Sequence, residues 1–176
     1  MKKKIFLWML CLPFILTFSS CGGDDNDANT EWRDTNEAAF NAVASSTEYQ
    51  AVTTPGGPGT IYRKVLKSGT GSEQPLSTSR VKALYKGAFY DGSVFDAGTS
   101  GNDVPVYFPS KTATSFQNNG VISGFSIALQ NMVVGDKWEV WIPWDLGYGA
   151  AGSGSIPGYS TLVFEVELLD IERYPK

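Results

Sequence analysis

A sequence of 176 residues with two cysteines and no histidine has few routes to covalent chemistry. Without histidine there is no Ser-His-Asp or Cys-His nucleophile, no histidine general base and no His-ligated zinc. The patterns that remain are weak. Gly147-Tyr148-Gly149-Ala150-Ala151-Gly152 is a literal GxGxxG. A dinucleotide site needs that pattern after a strand and at the start of a helix, so that N–H groups face the pyrophosphate. Here Ser153-Gly154-Ser155-Ile156-Pro157-Gly158 follows, which does not begin a helix. Asp170 and Glu172 share one face of a strand, but a solvated strand end accounts for them better than a glycosidase pair. Trp138, Trp141 and Trp144 do not make one stacking platform, because residues 138 and 141 of a strand face opposite sides. Asp24, Asp25 and Asp27 lack the glycine and distal glutamate of an EF-hand loop and read as a solvated tether. No metal and no cofactor is expected from these residues.

The first twenty residues read as an address. Lys2, Lys3 and Lys4 precede an uncharged stretch from Ile5 to Phe18, too short to span a bilayer but right for a signal peptide. Phe18-Ser19-Ser20-Cys21 then resembles a bacterial lipobox, in which cleavage leaves Cys21 as a lipid-modified N-terminus. The acidic residues that follow resemble the surface-export signals of some bacterial lipoproteins. Cys11 leaves with the signal, so Cys21 has no intramolecular disulfide partner. Without Lys2, Lys3 and Lys4, 11 basic residues face 18 acidic ones, and the net charge moves from −4 to −7. Such a chain is a poor match to nucleic acid. The expected location is the cell envelope, with a lipid anchor in the outer membrane.

The elements that must position any site are mostly strands. Segment 1–20 is the signal; 21–59 is an acidic tether, a short helix and a Pro/Gly linker; 60–173 is the folded domain. The helix is expected over Thr30 to Ser46, with Asp34 as cap and Trp32, Ala39, Phe40 and Val43 at near-helical spacing. It reads as a spacer or docking element. Strands are expected at Ile61 to Lys67, Val81 to Lys86, Val104 to Phe108, Trp138 to Ile142 and Leu162 to Leu168, with a hairpin at Asp91-Gly92. Pro105 puts its strand at an edge. Phe125, Ala128, Leu129 and Met132 follow helical spacing. The fold class is α+β: a five- to six-stranded antiparallel sheet wrapped on one short helix, with a short N-terminal helix.

Five stretches in order resemble the FKBP-type peptidyl-prolyl cis-trans isomerases. They are Val81-Lys82-Ala83-Leu84-Tyr85-Lys86-Gly87; Asp91-Gly92-Ser93-Val94-Phe95-Asp96; Val121-Ile122-Ser123-Gly124-Phe125 with Ala128-Leu129 and Met132-Val133-Val134-Gly135; Ile142-Pro143 with Leu146-Gly147-Tyr148-Gly149; and Ile156-Pro157 with Leu162-Val163-Phe164-Glu165-Val166-Glu167-Leu168. The resemblance implies catalytic roles for Asp96, Tyr148, Tyr85 and Phe125. It implies substrate contacts from Phe95, Val106, Val121, Ile122, Ile156 and Phe164. Phe125 stands where the family usually carries a tryptophan, and Val106 where it carries an aromatic.

The activity so implied is isomerisation of X-Pro segments of exported proteins, with a macrolide as candidate ligand. Rotation about an X-Pro amide breaks no bond, so it needs neither nucleophile nor metal. Core packing explains Phe95, Val121 and Phe164 nearly as well as a pocket does. Asp96 and Tyr148 discriminate, because a core needs neither. The alternative is a catalytically weak peptide- or partner-binding module of a cell-envelope lipoprotein. For the anchor, the expected outcome is detergent-phase partitioning and incorporation of a fatty-acid analogue in the native host, both abolished by Cys21→Ala; labelling that persists in the variant refutes acylation at Cys21.

Overall fold

We describe residues 25–53, 57–76, 79–96, 104–107 and 121–172 of a computed structural model of the chain. Cys21, the signal segment and the stretch 108–120 lie outside them. The elements in chain order are α1 (Asp25–Ala44), β1 (Gln50–Val52), β2 (Ile61–Lys67), β3 (Arg80–Phe89), β4 (Val94–Asp96), β5 (Val104–Tyr107), α2 (Ser123–Asn131), β6 (Lys137–Ile142), a 3-10 turn (Trp144–Leu146) and β7 (Leu162–Glu172).

The strands form one antiparallel sheet in the order β1-β2-β6-β7-β3-β4, with β5 also on β3. The expected α+β architecture is present, with seven strands rather than five or six. The added strand, β1, is three residues of the segment read as linker and pairs Val52 with Ile61. Three residues are too few for an alternation to register in the sequence. β5 pairs only with β3 among the described residues, with Pro105 opposite Lys82, as an edge position allows.

Alternation along the strands separates the faces. Val81 and Ala83 on β3, Trp138, Val140 and Ile142 on β6, and Leu162, Phe164, Val166 and Leu168 on β7 are buried on one side. Lys137, Glu139, Glu165 and Glu167 lie on the other, where Lys137 meets Glu165 and Lys67 meets Glu167. Trp138 is buried and Trp141 faces away, so the tryptophans do not share a surface.

α2 lies on the apolar face. Its stripe of Phe125, Ala128 and Leu129, with Met132 at its C-cap, is buried as the spacing predicts. The helix comes close because Gly124 carries no side chain: a Cβ there would overlap Ile142 Cγ2 and approach Ile142 Cδ1 at 3.1 Å.

The N-terminal helix differs from expectation. It begins at Asp25, five residues before Thr30, and ends at Ala44. Asp34 is therefore inside the helix and does not cap it. The physical reason is packing, since most helical stability in proteins comes from a buried face. Asn36 and Val43 are buried, and Phe40 meets Tyr62 edge-on at 5.4 Å between ring centroids.

Gly124→Ala tests the helix–sheet approach. Overpacking at such a contact costs about 1–3 kcal/mol. The expected result is a lowered denaturant midpoint with an unchanged slope; an unchanged midpoint shows that α2 has room to move away from β6.

Candidate active site

On the apolar face, five aromatic rings and one carboxylate come together. Tyr85 is on β3, Phe95 and Asp96 on β4, Phe125 on α2 and Phe164 on β7. Phe164 is the common neighbour. Its ring centroid lies 5.2 Å from Phe125, 5.7 Å from Phe95 and 6.2 Å from Tyr85. Tyr85 meets Phe125 edge-on at 5.8 Å, and Phe89 joins through Phe95 at 5.1 Å. Edge-on and tilted pairs are the geometry that ring quadrupoles favour.

Local folding sets this cluster. The tight turn at Asp91-Gly92 returns the chain onto β3, with Phe89 N–H donating to Ser93 O at 2.9 Å and Gly92 at φ +85. The Asp91 carboxylate accepts from the Ser93 N–H at 2.8 Å and closes the turn. Hydrogen bonds from Ser93 hold the Asp91 carboxyl below its usual range. The hairpin aligns Asp96 with Gly87, two residues beyond Tyr85. The Tyr85 hydroxyl then donates to Asp96 Oδ2 at 2.8 Å. Partial burial, reinforced by this bond and by the Asp96 charge, pushes the Tyr85 hydroxyl up to about 12.

Of the remaining sequence-predicted residues, Val121, Ile122 and Ile156 belong to the same apolar core. Val121 and Ile122 precede α2, are half-buried and pack against the core. Ile122 is the N-cap residue, with extended backbone and no side-chain cap on the helix. Ile156 is buried in the same core cluster, in a small loop closed by Ser153 and Ile156. Tyr148 follows the 3-10 turn and keeps 38% of its surface exposed. Its hydroxyl is held above the ordinary tyrosine range by partial burial and then by the charge of Asp96, so the two groups are within electrostatic reach. Val106 pairs through its backbone with Val81, and its side chain lies outside the described part. Gly87, which closes the first of the family-like stretches, also belongs to the site. A Cβ at Gly87 would come within 2.6 Å of Phe95 Cζ and 2.9 Å of Phe164 Cε1. A glycine inside a strand signals such an approach.

Among the described residues no cluster of three or more His, Cys, Asp or Glu could hold a metal ion. The polar groups are an exposed hydroxyl–carboxylate pair beside the rings and the half-exposed Tyr148 hydroxyl. That arrangement can bind an apolar ring and orient carbonyl groups beside it.

A short helix lies on an antiparallel sheet, with aromatic rings between them and a tyrosine–carboxylate pair at their edge, a form suited to binding an apolar ring. The chain belongs to the FKBP-type peptidyl-prolyl cis-trans isomerase family, whose sequence model matches residues 71–169. It is 47% identical over 109 residues to the FKBP-type 22 kDa peptidyl-prolyl cis-trans isomerase of Escherichia coli, covering 61% of this chain and 48% of that one. The chain thus spans about half the length of that relative. It is 30% identical over 167 residues to a macrophage infectivity potentiator of Trypanosoma cruzi, covering 94% of this chain and 79% of the other. The crystal structure of a peptidyl-prolyl cis-trans isomerase from Pseudomonas syringae pv. tomato superposes with a TM-score of 0.64 at 30% identity, over 82% of this chain and 96% of that one.

The tyrosines give a pH prediction. Tyr85 and Tyr49, whose hydroxyl donates to Glu139 Oε1 at 2.6 Å, are both raised from 10.0 to about 12. The folded state therefore holds these protons more tightly than the unfolded state. Their contribution to stability is complete below the unfolded value and is lost as pH rises through the folded one. Thermal unfolding followed against pH should show constant stability up to about pH 9 and a fall between about 10 and 12. Tyr85→Phe should flatten part of that fall, and phenolate absorbance should rise later in the folded protein than in denaturant. Coincident titration curves for folded and unfolded chains contradict this.

Proposed function

We propose that the chain catalyses cis-trans isomerisation of X-Pro bonds in exported proteins, at the aromatic face built by Tyr85, Phe95, Phe125 and Phe164. The observation that carries the reading is the Tyr85–Asp96 hydrogen bond at the exposed edge of those aromatics, within a chain of this family. A core needs no such pair, and the proposed reaction uses it.

Rotation about the X-Pro amide faces a barrier of about 18–20 kcal/mol from amide resonance. Lowering it requires tighter binding of the twisted amide than of either planar isomer. Phe125 is the floor for the proline ring, with Tyr85, Phe95, Phe164 and Ile156 as walls. Val121 and Val106 extend the apolar contact along the substrate. The planar amide is strongly dipolar and the twisted one less so; a water-poor site therefore favours the twisted form. The Ile122 N–H, at the uncapped start of α2, donates to a flanking substrate carbonyl. The Tyr148 hydroxyl donates to another. Asp96 fixes Tyr85 through the bond above and sets the field at the twisted carbonyl. No proton is transferred, which fits a chain without histidine.

The proposed setting is the cell envelope. The lipobox-like Phe18-Ser19-Ser20-Cys21 supports a lipid anchor at Cys21 in the outer membrane. A macrolide is a candidate ligand of the same site.

The test is a protease-free isomerisation assay on a Leu-Pro or Phe-Pro peptide, with thermal melts alongside. Tyr148→Phe deletes one hydrogen bond worth about 1 kcal/mol and should lower kcat/KM several-fold without lowering Tm. Asp96→Ala removes both a charge and the Tyr85 partner and should cost at least as much. Phe125→Trp should tighten macrolide binding by enlarging the floor. A folded wild type with no turnover refutes the isomerase reading and favours a peptide-binding module. Full activity in both polar variants leaves isomerisation in place and refutes these residue roles.

A further inference from the structure

The loop that carries Tyr148 and Ile156 is grasped at both ends by a helix from the other end of the chain. Asn36, in the middle of α1, is fully buried. Its Oδ1 accepts from the Thr161 N–H at 2.7 Å, and its Nδ2 donates to Trp32 O at 2.8 Å. The Thr161 hydroxyl donates back to Asn36 O at 2.9 Å. A buried amide is costly unless its hydrogen bonds are made, and here both polar atoms of the side chain are paired. At the next residue, Glu37 Oε1 accepts from Trp144 Nε1 at 3.1 Å and from Arg33 Nε, one turn back, at 2.8 Å. The Arg33 guanidinium lies over the rings of Tyr159 at 5.0 Å and Trp144 at 5.8 Å. Those two rings meet edge-on at 5.0 Å.

Between these ends the loop also closes on itself, through the Ser153–Ile156 backbone pair and the Ser160 hydroxyl on Pro157 O. Gly149 N–H donates to Trp144 O at 2.8 Å, and Tyr159 N–H donates to Gly149 O at 3.0 Å. Gly149, Gly152 and Gly154 all have positive φ. Tyr159 does too, at φ 59, which is strained for a residue with a side chain. Such strain persists only where the surroundings over-determine it, and Arg33 and Trp144 are those surroundings. A contiguous set of bonds thus runs from α1 through Trp144, Tyr159 and Thr161 to Gly149, the neighbour of Tyr148 in the chain.

We propose that α1 is a positioning element for the site, with Asn36 and Glu37 as the residues that hold the 144–161 loop and thereby Tyr148. It deepens the isomerase reading given above, but the placement of the loop is tested separately from turnover.

The experiment uses the whole chain and the variants Asn36→Ala, Glu37→Ala and Glu37→Gln. Amide hydrogen exchange is read at Gly149, Ile156 and Tyr159 against Val140 and Val166 in the sheet, with kcat and KM for an X-Pro peptide measured in parallel. Glu37→Ala should speed exchange at the three loop amides by about tenfold and leave the sheet amides within about twofold. Glu37→Gln, whose amide oxygen can still accept from Trp144, should restore most of the protection. Asn36→Ala should act in the same direction and more strongly; where it fails to fold, the Glu37 pair decides. KM should rise about two- to fivefold in Glu37→Ala, with kcat changed less. Loop exchange equal to wild type in Glu37→Ala overturns the proposal. So does exchange that rises equally in loop and sheet, which marks a merely stabilising helix. A folded wild type that turns over no X-Pro peptide defeats the isomerase reading, while the exchange pattern still decides what α1 holds.

Discussion

The site depends on a side chain that is absent. Gly87 lies opposite Phe164 on one flank and Asp96 on the other. Only a hydrogen separates its Cα from the two rings that close over it, since any Cβ would stand 2.6 Å from Phe95 Cζ and 2.9 Å from Phe164 Cε1. Interiors are packed too tightly to absorb such an overlap locally. A displaced Phe164 would carry Phe125 and Tyr85 with it, because both rest against its ring. A displaced β4 would carry Asp96 away from the Tyr85 hydroxyl. One strand position therefore sets the spacing of the aromatic wall and of the tyrosine–carboxylate pair beside it.

The features legible in the sequence were those whose information is local. Period-two alternation in β3, β6 and β7 separates buried from exposed residues over stretches long enough to be unambiguous. The stripe of Phe125, Ala128, Leu129 and Met132 needs only the helical period. Asp91-Gly92 sets a turn by its own chemistry. The rings at 85, 95, 125 and 164 were named from motifs, and their convergence follows from strand register. Features that depend on a distant partner were not legible. Asn36 has the sequence appearance of a surface residue, and its partner Thr161 is 125 positions away. Asp136 is buried because the Gly69 and Val133 N–H groups donate to its two oxygens at 2.7 and 2.9 Å, and nothing near it announces that. Gly87 advertises a close approach, but not of what.

The electrostatics suit a reaction that moves no proton. A hydroxyl that must orient a carbonyl is useful only while protonated. Burial and the Asp96 charge act in the same direction on Tyr85 and on Tyr148, and both favour the protonated form. The carboxylate thus does two things at once. It accepts the Tyr85 hydrogen bond and fixes the ring, and its charge adds to burial in raising the Tyr148 hydroxyl. A histidine in this place would change charge near neutral pH and vary the field with it. The proposed chemistry gains nothing from that.

The docked helix also constrains the proposed anchor. Asp25 opens α1 only four positions after Cys21. Four residues reach at most about 14 Å when fully extended. Were α1 a free spacer, its 20 residues would add about 30 Å of swinging arm between lipid and domain. Its contacts with Phe89 and Tyr90 through Trp32, with Thr161 through Asn36 and with Tyr62 through Phe40 remove that freedom. An acylated Cys21 would then hold the domain within a short tether of the bilayer. Since α1 holds the loop bearing Tyr148, the same contacts that shorten the tether would also determine how the site is presented to a client. Segments already close to the membrane would reach it more readily than chains in bulk solution, and access would be set by the packing of α1 rather than by the length of the linker.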